Sequence, residues 1–524
     1  MERGLSGETP APAPRPDILP RLVLLGIWTI GTLYLVSRHV MWADEVRALS
    51  IALQGDNMIE MLRSLQGEGH PALWYLLLRG AHTIVPVNEV LPAMAWLVAF
   101  AAMLILVLKS PFRLGTIALI MFGAFGLFDF TVSARNYGIA MLLLFAIAWL
   151  YPHYRDKGIV IGLLLAALCN TNVHAAFFAA GLLGFWLIEI TSEEGIKWTR
   201  KHRIFAVNAT VATIGAALCF IAVYPPGQDA VVRSSPEGIT LGLIVDAITS
   251  PATLFASLLP PQFGDHPLAM VALTLLLLGA LLGLARAPGA VIAAVSAMLG
   301  VMLFMQLVYL GSYRHTALFL VYLVTLYWLV AMGRGGRWPA CIDAGLGRIT
   351  QLSAISLTAL LALQLPLSLA LLRLDAAGIP DSRSYDLSRL IHAQGLTESP
   401  IIANADVIME AVPYYAPNPL WLLRENKFGK VVRFSRSNRD QLDLNVLLAE
   451  ADRLHRDHGK PVIILMQYRL EPGIGQPTIQ EGFGGSFAMP ADQVDRFLGA
   501  TRRLARFDPA NTNESYDVYL YPGG

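Results

Sequence analysis

Charged residues are scarce in this 524-residue chain. Asp, Glu, Lys and Arg together make up 15%, against about 25% in soluble domains, which excludes an ordinary soluble enzyme. Cysteine is scarcer. Cys169, Cys219 and Cys341 fall in or beside apolar segments without metal-ligand spacing, as small buried side chains do. The polar C-terminal region has no cysteine, so no disulfide stabilises it. The net charge is +1, and with no basic arm and no aromatic–basic platform, nucleic acid is not an expected partner.

What the chain has is hydrophobic length. Apolar residues make up 55% and mean hydropathy is +0.53. Apolar runs recur up to residue 372, each near the ~20 residues that cross a bilayer. The reading is a multi-pass α-helical membrane protein. Residues 1–19, with Thr9-Pro10-Ala11-Pro12-Ala13-Pro14-Arg15-Pro16, form a disordered cytoplasmic leader. The run Leu19–Val40 lacks a small-residue cleavage site and is a retained first span.

Lys and Arg in short loops set the orientation. Arg15 and Arg21 place the N-terminus inside; Lys109, Arg113, Arg155, Lys157, Arg286, Arg334, Arg337 and the basic loop Glu193–Arg203 mark later inner loops. The alternation predicts eleven spans, at 20–40, 89–108, 114–128, 136–150, 158–171, 175–190, 204–224, 267–285, 288–310, 315–332 and 349–372. External loops cover 41–88 and 225–266. In the first, 45–66 reads as an amphipathic helix and 71–85 as an interrupted apolar helix that does not span.

From residue 373 the composition changes. Short β-prone runs at 400–405, 430–434, 461–466 and 516–521 alternate with helical stretches at 442–458 and 491–503, predicting an extracytoplasmic α/β domain over 373–524 with a partly parallel sheet. It has no Gly-rich phosphate loop, no Cys/His cluster and no nucleophile elbow. A stabilising or acceptor-recruiting role is expected of it rather than a second active site.

On this topology Asp44, Glu45, His70, Asp129, Arg135, Tyr137, His174, Tyr313, Arg314 and His315 meet at one outer face, from five separate segments. Ionisable residues beside a span are costly to desolvate and are functional candidates. Each has a bland reading too. Asp44 suits an N-cap for a helix starting at Glu45, as well as a general base. His70-Pro71 marks a helix start. Arg135 and Arg314 suit snorkelling to the interface or binding phosphate through paired N–H donors. Asp129 suits a surface carboxylate or one that orients Arg135, and His174 suits a polar helix end.

The order Met41-Trp42-Ala43-Asp44-Glu45, then Glu68-Gly69-His70-Pro71-Ala72-Leu73-Trp74-Tyr75, then Ser133-Ala134-Arg135-Asn136-Tyr137 resembles membrane glycosyltransferases of GT-C type. The branch it looks like is that of the bacterial relatives of protein O-mannosyltransferases and the lipid A aminoarabinose transferases. That family has an acidic pair opening the first external loop, a His-Pro-Pro-Leu-Tyr-like re-entry, an Arg-x-Tyr after the third span and a later Arg-Tyr-like pair. This chain departs at Ala72, where the second proline is missing, and at Tyr313-Arg314-His315.

The resemblance covers roughly residues 20–330. It implies a bacterial inner-membrane enzyme with a polyprenyl-phosphate sugar donor and inverting transfer to a glycan, lipid or protein acceptor. It also implies catalytic carboxylates at Asp44 and Glu45, with donor-phosphate contacts at Arg135, Tyr137, Tyr313, Arg314 and His315. His70, Asp129 and His174 would support them. A monophosphate leaving group does not require a metal, although Asp44, Glu45, Asp129, His70 and His174 are the set that could hold a divalent cation. The alternatives are a transporter or flippase of lipid-linked sugars, against which no internal repeat is found, and a ligase or polymerase using a diphosphate-linked donor.

Overall fold

The computed structural model describes residues 18–224, 240–259, 263–264, 266–309, 311, 313–338, 353, 355–481 and 485–523. Most of the leader, residues 225–239 of the second long loop and Cys341 lie outside them. Eight of its helices are long and apolar enough to cross a membrane: Ile18–Arg38, Val90–Lys109, Tyr137–Tyr154, Val173–Glu194, Arg200–Val223, Pro288–Leu307, Tyr313–Ala331 and Ile355–Ala376. Val160–Cys169 and Pro267–Leu282 are shorter apolar helices. Leu114–Phe122 ends at the extended Gly123, after which comes a separate π turn, Phe125–Asp129. The chain is a multi-pass helical membrane protein with a C-terminal sheet-containing domain.

Helix Tyr313–Ala331 is the centre of the bundle. It is buried on nearly every side, as an all-round apolar sequence demands. Small residues let its neighbours approach. A Cβ on Gly181 would lie 2.3 Å from Tyr322 Oη and 2.9 Å from Ala293 O. The first span is pinned by Trp28, whose Nε1 donates to Gly126 O at 3.2 Å, and by Arg21, which donates to Val107 O and Ser110 O, each at 3.0 Å.

The first loop departs from expectation. The amphipathic stretch 45–66 is two helices, Ala43–Ala52 and Met58–Ser64. They are separated at Gly55, whose φ of +69° breaks the helical path, and Asn57 caps the second by accepting from Ile59 N and Glu60 N. Residues Leu73–Ile84 form an amphipathic helix that buries Trp74, Tyr75 and Leu78.

In the C-terminal domain a four-stranded sheet runs in the order Ile401–Ala403, Val462–Met466, Tyr516–Tyr521, Arg502–Phe507. The first pair is parallel and the others antiparallel. Helix Leu444–His458 starts at Asp443, whose side chain accepts from Val446 N, and stops at Gly459 in the left-handed region. Residues 430–434 are not a strand: Val432 instead turns its N–H to Glu410 Oε1 at 2.6 Å and its carbonyl to Arg47.

Candidate active site

The first span ends at Arg38, and the next helix begins at Ala43 with Trp42 at its N-cap. Asp44 is therefore in the first turn, not at the cap. The reason is Glu45, which reaches back so that its Oε2 accepts from Trp42 N at 3.0 Å. Both carboxylates sit where the helix dipole favours negative charge, but their surroundings differ. Glu45 is completely buried. Its Oε1 accepts from Ala134 N at 2.5 Å, and His39 Nε2 lies 2.9 Å from Oε2, so Glu45 joins the first loop to the turn carrying Arg135. Asp44 has 44% of its side chain exposed and pairs with Arg135.

Asp44 is thus partly open to water, while Arg135 beside it is largely buried. Burial would raise its carboxyl; the Arg135 charge and hydrogen bond, with Arg314 and His70 adding, hold it below its ordinary value. Arg135 responds in kind. Burial would lower its guanidinium, and Asp44 raises it above the usual value.

Arg314 approaches the same carboxylate from the start of helix Tyr313–Ala331. Its Nε donates to Asp129 Oδ1 at 2.8 Å, and Tyr313 Oη donates to the same oxygen at 2.7 Å. Asp129 is buried at the end of the π turn, and among the described residues its Oδ2 has no hydrogen-bond partner. Trp42 brings the two cations together. Its ring centroid is 5.2 Å from Arg314 Cζ and 5.9 Å from Arg135 Cζ, and each contact is a cation–π attraction. Two like charges are thus held at one indole, each with its own carboxylate.

The remaining candidates adjoin this centre. Tyr137 Oη and His315 Nε2 are 3.1 Å apart, and Tyr137 also lies beneath Arg135 at 5.9 Å. The His174 and His315 rings are 4.6 Å apart, with Phe304 edge-on to His174 at 5.2 Å. His174 is 2% exposed, and among the described residues neither ring nitrogen has a hydrogen-bond partner. His70 is half-buried among Arg135, Glu68, Asp44 and Arg47; burial first, then Arg135, pushes its pKa down. Asn136 Nδ2 donates to Thr171 O at 2.6 Å, and Leu73 N to Asn170 O at 3.2 Å, fastening the re-entry and the Asn-Thr-Asn turn to the same end of the bundle.

Among the described residues no three His, Cys, Asp or Glu side chains converge as metal ligands. Asp44, Asp129 and Glu45 are instead engaged by Arg135, Arg314 and His39. A recess of about 280 Å³ lined by Val46, Leu49, Leu53, Asn88, Tyr414 and Lys430 involves none of the ten candidates.

Sequence reasoning missed His39 and the Trp42 bridge. It also missed the C-terminal groups reaching the loop: Glu410, Tyr415 and Glu514. Only Trp42 had a local signal, as an aromatic two residues before a candidate base.

No family model matches the chain, and no curated protein matches it. A solved structure of ArnT from Cupriavidus metallidurans, bound to undecaprenyl phosphate, is similar to it over 97% of this chain and 98% of that chain, with 12% identity and a TM-score of 0.47.

Proposed function

We propose that the chain is a glycosyltransferase that moves a sugar from a polyprenyl-phosphate donor to a hydroxyl acceptor, with inversion, at the extracytoplasmic face. One observation carries the reading: a water-accessible carboxylate, Asp44, pairs with one of two guanidinium groups that distant segments bring to the ring of Trp42. That set meets what a displacement at an anomeric carbon needs. A base faces the acceptor, and fixed positive charge faces the leaving phosphate.

In the step, the acceptor oxygen bonds to the anomeric carbon as the bond from that carbon to the phosphate oxygen breaks. The hydroxyl proton passes to Asp44 as the attacking oxygen becomes acidic. The bonding electrons leave with the polyprenyl monophosphate, whose growing charge Arg135 and Arg314 stabilise. Such aimed charge is normally the largest catalytic contribution. Tyr137 and Tyr313 pack against the guanidiniums, His315 holds Tyr137, and His70 and His174 stand beside them. Glu45 shapes the loop.

The test is sugar transfer by the purified full chain from a polyprenyl monophosphate sugar, with the anomeric configuration of the product determined. An inverted glycoside is expected. Transfer from a diphosphate-linked donor alone would favour the ligase reading, and movement of the intact lipid-linked sugar between leaflets without transfer would favour the transporter.

A further inference from the structure

At the start of helix Ala43–Ala52 the Glu45 side chain accepts from Trp42 N, which leaves the Ala43 amide to be satisfied. Trp42 occupies the N-cap, and no side-chain oxygen there accepts from the first turn. A helix start leaves amides without partners, and the missing acceptor has to come from elsewhere. Here it comes from the far end of the chain: Ala43 N donates to Glu514 Oε1 at 2.7 Å. Two further ties flank it. Met41 N donates to Tyr415 Oη at 2.6 Å. Arg47 Nη1 donates to Glu410 Oε1 at 2.5 Å and to Val432 O at 2.8 Å, while Glu68 takes the other edge of the guanidinium. Four hydrogen bonds to the C-terminal domain, at Met41, Ala43 and Arg47, therefore bracket Asp44.

We propose that Glu514 is a positioning residue for the transfer, seating the Ala43 amide so that Asp44 faces the acceptor, and that the C-terminal domain is thereby a working part of the site. The inference rests on Asp44 being the base. Glu514 is fully buried. Burial pushes its carboxyl up to about 8, with the Asp44 and Glu45 charges acting in the same direction and Ser382 and the Ala43 amide opposing. At neutral pH it is mostly the uncharged acid, whose carbonyl oxygen still accepts. Glutamine reproduces that shape and acceptor; methionine keeps the bulk and removes the oxygen.

The experiment uses the full chain as wild type, Glu514→Met, Glu514→Gln, Tyr415→Phe and Asp44→Asn. Transfer from a polyprenyl monophosphate sugar is measured beside amide exchange in the peptide spanning residues 41–47. Glu514→Met is expected to speed that exchange and to lower kcat roughly tenfold or more, the size a small misplacement of a reacting group produces, with donor KM within about twofold. Glu514→Gln is expected to restore both. Should Glu514→Met not accumulate, Tyr415→Phe is expected to move both readouts in the same direction. Unchanged exchange in Glu514→Met, or a Gln variant as impaired as the Met variant, overturns the proposal. Wild-type transfer by Asp44→Asn would instead overturn the reading of the base, while exchange at 41–47 still decides whether Glu514 seats the loop.

Discussion

Asp44 and Arg314 are neighbours across most of the helical bundle's sequence. The Arg314 guanidinium carbon lies 5.2 Å from the ring of Trp42, two residues before Asp44, and its charge helps hold the Asp44 carboxyl down. The groups proposed as base and as phosphate-binding cation thus meet beside one indole.

Asp44→Asn keeps the shape of the side chain and a hydrogen-bond acceptor for Arg135 but cannot take a proton. Turnover is expected to fall at least ~10²-fold, the low end for loss of a general base, with the chain still folded but its thermal midpoint somewhat lowered, since Arg135 loses its counter-charge. Sugar transfer and a melting curve on the same preparation check this.

Arg314→Ala strips Asp129, a buried carboxylate, of its cation. A loss of roughly 3 kcal/mol is expected for an uncompensated buried charge, together with a raised donor KM. The double variant Arg314→Ala, Asp129→Asn removes the orphan charge and is expected to recover most of the stability but not donor use. A double-mutant cycle on both readouts separates the two.

Glu45→Ala deprives the Ala134 and Trp42 amides and His39 of their acceptor. Each buried donor left unpaired costs about 1–3 kcal/mol, so the variant is expected to be destabilised by ~3 kcal/mol or more. Denaturation of the purified chain measures it. Glu45→Gln, which keeps one acceptor oxygen, is expected to lose less.

The pH dependence follows from His39 and Glu514. Burial would lower His39, but the charge and hydrogen bond of Glu45, with Asp381, raise it from 6.5 to about 8 against the opposing Arg314. The folded state therefore holds more protons than the unfolded between those values, and stability falls as pH rises. The contribution is fully present below 6.5 and lost as pH rises through about 8. Its size is on the order of 2 kcal/mol. Glu514, raised from 4.5 to about 8, has the same sign over a wider window. The thermal midpoint is expected to drop between pH 6 and 9, and His39→Gln to flatten the part above 6.5.

Much of the fold was legible because a bilayer imposes one rule on every span: enough consecutive apolar residues, arranged as a helix. Each of the eleven expected segments that falls in the described residues holds a helix. The site was legible where its residues stood at span ends, as Asp44, Arg135 and Arg314 do. It was not where a role depended on a partner remote in sequence. Glu514 reads as an ordinary surface acid until the sheet order carries it beside Ala43. His39 reads as a span-end residue until Glu45 and Asp381 close on it. Lys430–Phe434 has a strand's composition, but Glu410 and Arg47 take the Val432 backbone groups that a ladder would need.

The π turn Phe125–Asp129 stands apart from helix Leu114–Phe122, with the extended Gly123 between them. Asp129 ends that turn and meets Tyr313 and Arg314 there, so removing one residue from the segment would draw the carboxylate away from both donors. The reach of one carboxylate is thus set by the count of residues after Gly123, and swaps of this segment between related chains would have to preserve its length before its composition.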